Sequence, residues 1–165
     1  MYALLSNKLF CDDGVLSAEG DEIIWDRSTL YAFRGILNAG ESDRVYPYLQ
    51  RYVSQRLIGP HVPYAVEAYP EGNQRHLSAE SALFARIVTE GLCGITPVGL
   101  HKLEIRPSVP KALGHLTLKR IRAGGSYFDL DITRTEPGHY VKAITNGIET
   151  SFFIPWGQSW VLSLT

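Results

Sequence analysis

Apolar positions change their period along this chain. In the first half they recur every three or four residues, and in the second half they alternate with polar ones. Leu4, Leu5 and Leu9 share one helical face, which predicts a helix over Met1–Phe10, ended by the turn sequence Cys11-Asp12-Asp13-Gly14. The acidic stretch Gly14–Ile24 reads as loop. Asp26 or Ser28 then caps a helix, near Asp26–Ala39, that runs through Leu30, Tyr31, Phe33, Arg34 and Leu37 and stops at Gly40. Ser42 caps a second helix, Ser42–Leu57, with a stripe of Val45, Leu49, Tyr52, Val53 and Leu57. Pro47 falls near its start, where the missing N–H costs little or kinks the helix. The very short turn between the two makes them antiparallel neighbours. A long connection with three prolines follows, and then a third helix, Ser78–Cys93. Beyond it, Leu103 and Ile105, Leu116 and Leu118, and Phe128, Leu130 and Ile132 alternate with polar neighbours. With Tyr140–Ile144, Ser151–Ile154 and Trp160–Leu164 they make about six strands, starting near His101. Helices followed by a run of strands mean an α+β protein. A boundary near Pro97–Gly99 gives a helical part, residues 1–97, and an antiparallel β-sandwich, residues 98–165.

The stretch Tyr69–Pro97 organises the rest. Ser78 caps its helix, and Glu80 sits in the first turn, where a carboxylate suits the helix dipole. Leu83, Phe84, Ile87, Val88, Gly91 and Leu92 form one apolar stripe, Gly94 is a stop and Pro97 forbids continuation. A loop with Glu71, Asn73, Gln74, Arg75 and His76 is thus held at the start of a buried helix, and polar loops on rigid elements are where function tends to sit.

Composition narrows the function classes. The chain of 165 residues is 45% hydrophobic and 20% charged, with 16 basic and 17 acidic residues interspersed. It has no basic stripe, so no nucleic-acid partner is expected. No apolar run reaches membrane-spanning length, and the start, MYALLSNKLF, lacks the basic leader of a signal peptide. Cys11 and Cys93 make no disulfide framework, and the five histidines have no metal-ligand spacing, so no metal or cofactor is expected. Nucleophile-elbow and phosphate-loop motifs are absent. Trp25, Tyr64 and Tyr69 are candidate sugar-stacking faces that also read as core aromatics. Asp12, Asp13 and the acids from Glu19 to Asp26 are turn and cap residues, or sources of a second carboxylate.

Around the central stretch the residues read Pro70-Glu71-Gly72, His76-Leu77-Ser78-Ala79-Glu80-Ser81, a helix, and Cys93-Gly94-Ile95-Thr96-Pro97. This register resembles the last inner helix of the six-hairpin α-toroid glycosidases and phosphorylases, such as cellobiose phosphorylase and the α-L-rhamnosidases. The following residues, from Leu100 to Ile132, resemble the C-terminal β-sandwich of the same enzymes. The resemblance implies the last helices of an α/α toroid plus the β-domain, with the remaining helices and the general acid upstream. It implies a carbohydrate-active, glycoside hydrolase-like protein with Glu71 as base, and Glu67 as the alternative carboxylate. Such hydrolysis uses two carboxylates flanking the scissile bond, about 6.5–9.5 Å apart in inverting enzymes. Arg75, His76, Ser78, Tyr69 and Trp25 would bind the sugar. Ala79 replaces the glycine of a phosphate-holding Thr-Gly pair, which counts against phosphorolysis. The alternative is a non-catalytic carbohydrate-binding or structural accessory module. The expected partners are a carbohydrate and either a second copy of the chain or the upstream part of the toroid.

Overall fold

The computed structural model describes residues 4–58, 67–70 and 78–164. The chain is α+β and divides into two units, Met1–Val88 and Thr89–Thr165.

The first unit opens differently from the expected helix. Residues 4–9 are turns, and Phe10–Cys11 (β1) pairs antiparallel with Gly14–Val15 (β2) across Asp12-Asp13. Ten residues are too few for a helix to hold by itself, and a tight hairpin satisfies the backbone at once. Ile24–Trp25 (β3) leads directly into helix α1, Asp26–Asn38, which is followed by α2, Ser42–Arg56. Both helices begin without a side-chain cap, at Trp25 and at Glu41. Asp26 and Ser42 are therefore first helical residues rather than caps, and Ser28 spends its hydroxyl on Ser17. Gly40 ends the first helix as expected, with φ of 86°. Ala68–Tyr69 (β4) pairs with β3, matching Ile24 to Tyr69 and Trp25 to Ala68. Helix α3, Ser78–Arg86, continues as a π-helical segment, Ile87–Leu92. The core holds Leu30, Phe33, Ile36, Leu37, Val45, Leu49 and Tyr52. Phe33 meets Tyr52 edge-on, and Tyr52 stacks on Phe84 with ring centroids 6.3 Å apart.

The second unit is a β-sandwich-like pair of antiparallel sheets. Its strands are β5 (Ile95–Gly99), β6 (Lys102–Ile105), β7 (His115–Ala123), β8 (Ser126–Thr135), β9 (Gly138–Thr145), β10 (Ile148–Pro155) and β11 (Trp160–Ser163). One sheet has the order β10-β9-β8-β7 and the other β11-β6-β5. Leu103, Ile105 and Leu162 of the smaller sheet share a core with Phe128, Leu130, Ile132, Val141, Ala143 and Ile154 of the larger. The alternation read from the sequence is the inward face. Between Leu118 and Ile121 a bulge lets Lys119 and Arg120 both face outward. Arg120 adopts φ of 57°, and its N–H is capped by Asp129 Oδ1 at 2.7 Å. Gly94 stands at φ of 64° where the helix ends. The expected boundary, Pro97–Gly99, lies within β5.

Candidate functional site

The β3–β4 ladder sets up the site. On β3 the side chains alternate: Ile24 goes into the core, and Trp25 stays 40% exposed. The ladder extends by one bond, the Asp26 N–H donating to the Glu67 carbonyl at 2.9 Å. The ladder brings Trp25, opposite Ala68, and Glu67, opposite Asp26, to the start of α1. With Arg27 and Ser28 of α1 and Glu80 of α3 they line a recess of about 250 Å³.

Glu80 is the unusual member. Its side chain is fully buried. Arg27, about half exposed, donates from Nε and Nη2 to the same oxygen, Oε1, at 3.1 and 3.0 Å. The other oxygen, Oε2, has no hydrogen-bond partner among the described residues. An unsatisfied buried carboxylate oxygen costs on the order of 1–3 kcal/mol or more, so it demands an explanation. Glu67 has no side-chain partner among the described residues.

Behind the recess lies a closed ion pair. Arg56 donates from Nε to Asp26 Oδ1 at 2.8 Å, and both side chains are fully buried. Arg56 also reaches Gln55 Oε1 and the Asp13 carbonyl, and its guanidinium lies over the rings of Tyr69 and Tyr52, 4.1 and 5.1 Å from their centroids. Burial pushes the Asp26 carboxyl up to about 6, with Arg56 and the Tyr52 hydroxyl pulling the other way. The pair is engaged by its own bond and by Gln55, Asp13 and Tyr52. It ties Tyr69 of β4 and the end of α2 to the start of α1.

The sequence-derived candidates distribute as follows. Trp25 and Glu67 meet in the recess. Tyr69 stands two residues beyond Glu67, with one ring face taken by Arg56. Ser78 is the first residue of α3. Glu71, Arg75 and His76 lie outside the described residues. Among the other acids, Asp13 pairs with Arg51 and Gln55, Asp12 with Arg51 and Glu19 with Lys8. Asp21 accepts the Ala18 N–H and, with Glu22, borders an open hollow on another side of Trp25. Sequence reasoning assigned Glu80 to the helix dipole and gave Arg27 no role. One signal pointed to Glu80: it stands four residues before Phe84 and seven before Ile87, on the apolar stripe itself.

The second unit offers a groove of about 240 Å³ on the outer face of its larger sheet, between Thr117, Lys119, Asp129, Asp131 and Lys142. Its carboxylates are satisfied from within. Asp129 holds the Arg120 N–H, and Asp131 accepts from Thr117 and bonds His115 at 3.0 Å. Desolvation pushes Asp131 up, but the bonds from His115 and Thr117 outweigh it and hold the carboxyl below its usual range. His139 is a buried structural histidine. Its Nε2 accepts the Val109 N–H, and burial pushes it down to about 4.

Among the described residues no cluster of His, Cys, Asp and Glu could hold a metal ion, and no helix is long and apolar enough to cross a membrane. No family model, curated protein or solved structure matches the chain.

Proposed function

We propose that this chain is a carbohydrate-binding part of a glycoside hydrolase-like protein, with the sugar seated in the recess at the start of α1. The observation that carries the reading is the pairing of a partly exposed indole with two carboxyl groups in one hollow, Trp25 with Glu67 and Glu80. An aromatic face takes the apolar C–H side of a pyranose, while carboxylates accept its hydroxyls. The resemblance to the six-hairpin enzymes adds Glu71 as the general base, one residue beyond Pro70, with Arg75, His76 and Ser78 nearby in sequence. In that reading the general acid comes from an upstream part of the toroid. A second copy, or that upstream part, would meet exposed apolar residues of the helical unit such as Tyr31 and Ile58.

The non-catalytic alternative has one observation in its favour. Hydrolysis needs two carboxylates free to act, and in the recess Arg27 ties up one oxygen of Glu80.

The test measures binding and turnover of a panel of aryl glycosides by this chain and by its Glu71→Gln variant. This chain is expected to bind without significant turnover, and Glu71→Gln to bind equally, because an amide still hydrogen-bonds hydroxyls. In a longer version carrying the upstream helices, Glu71→Gln is expected to abolish hydrolysis. Absence of binding to every glycoside would overturn the carbohydrate reading. Equal turnover by the two longer proteins would remove Glu71 from the mechanism. Light scattering on the same preparation is expected to find a species larger than a monomer, and a strict monomer would count against the toroid relationship.

A further inference from the structure

We propose that Glu80 selects the ligand of this recess, and that the ligand is an amino-bearing sugar whose ammonium group donates to Glu80 Oε2. The proposal rests on the carbohydrate reading above and specifies its substrate class.

Three observations converge. Glu80 is fully buried, yet it lines the recess, and its Oε2 has no hydrogen-bond partner among the described residues. A carboxylate oxygen can only accept, so what completes it must be a donor. Oε1 is already held by Arg27, which fixes the carboxylate in one orientation before any ligand arrives.

The charge of the recess then chooses among sugars. Its lining holds two carboxyl groups, Glu67 and Glu80, against one guanidinium, Arg27. Asp26 and Arg56 behind it cancel as an ion pair. The balance is one negative charge, which attracts a cation and repels an anion. A cationic amino sugar satisfies Oε2 and offsets that charge, a neutral sugar satisfies Oε2 alone, and a uronic acid is repelled. A hydroxyl donating to the Glu80 carboxylate is already charge-assisted; an ammonium adds a second, opposite charge, and the preference expected for that ion pair is about tenfold in affinity, about 1.4 kcal/mol.

Calorimetric titration of the full chain with glucosamine, glucose and glucuronic acid, each as its methyl glycoside, tests this. The wild type is expected to bind the amino sugar about tenfold more tightly than the neutral one, and the uronic acid most weakly. Glu80→Gln should erase the preference for the amino sugar and keep the neutral sugar bound, whereas Trp25→Ala should weaken both alike. Equal affinity of the wild type for amino and neutral sugars would overturn the inference and leave the carbohydrate reading standing. Binding of none of the three would overturn both. A preference that survives in Glu80→Gln would show that another group carries it. Should Glu80→Gln fail to fold by circular dichroism, Glu80→Asp replaces it. The shorter side chain withdraws the oxygen, so an unchanged preference in that variant would equally refute the role of Glu80.

Discussion

Two polar residues stand where helical spacing calls for apolar ones, and both are central to the account. Glu80 extends the stripe of Phe84 and Ile87 towards the start of α3, and Arg56 stands four residues after Tyr52 on the stripe of α2. Charged residues are almost never fully buried unless paired, so a charge on an apolar stripe marks either a buried pair or a site. Spacing alone could not say which, because the partners, Asp26 and Arg27, come from a different helix. For Arg56 the answer is a buried pair, and its removal has a predictable pH dependence. Burial holds the Asp26 carboxyl at about 6 in the fold, above the usual carboxylate range. The folded state thus holds the proton more tightly than the unfolded chain does. The contribution of Asp26 to stability is complete below about pH 4 and is lost as pH rises through about 6. Arg56→Met leaves Asp26 buried without its cation. The variant is expected to lose about 3–5 kcal/mol at pH 7 and clearly less at pH 5, where Asp26 takes up a proton. Urea unfolding followed by the helical circular dichroism signal measures this. An equal loss at both pH values would show that Arg56 acts through packing on Tyr52 and Tyr69 and not through charge.

Among the elements, the long strands were legible because each buries one face, which writes a period of two into the sequence. The edge strand β5 was not, because Pro97 and Gly99 read as breakers. At the edge of the order β11-β6-β5 a proline gives up no ladder bond, so the strand tolerates it. The switch of α3 to a π-helical segment left no mark in the sequence that we can identify. The stop at Gly94 did leave one, and it is also a packing requirement. Gly94 has φ of 64°, and a Cβ there would run into the carbonyl of Arg106, whose N–H in turn donates to the Gly94 carbonyl at 3.1 Å. Gly125, at φ of 81°, has open space where its Cβ would stand. Each alanine pays for the left-handed backbone, on the order of 1–3 kcal/mol, but only Gly94→Ala adds the collision. Gly94→Ala is therefore expected to lower the melting temperature by several degrees more than Gly125→Ala. Equal shifts of the two variants would mean that the backbone relaxes around the new methyl group.

For the whole molecule, the α+β class followed from the change of hydrophobic period, and the candidate site was legible only in part. Trp25 and Glu67 were singled out for aromatic and carboxylate chemistry, but not as neighbours. They are far apart in the chain, and the two-residue ladder that joins them is too short to leave a periodic signal. With Glu80 they form the recess, and the chain carries its own probe of it. Of its three tryptophans, Trp25 lines the recess, while Trp156 and Trp160 belong to the second unit. Proton–nitrogen correlation spectra resolve three indole N–H resonances, and Trp25→Phe identifies one of them. Titration with methyl glucosaminide is predicted to shift the Trp25 indole saturably and leave the other two in place. Movement confined to Trp156 or Trp160, or no movement at all, would contradict the account.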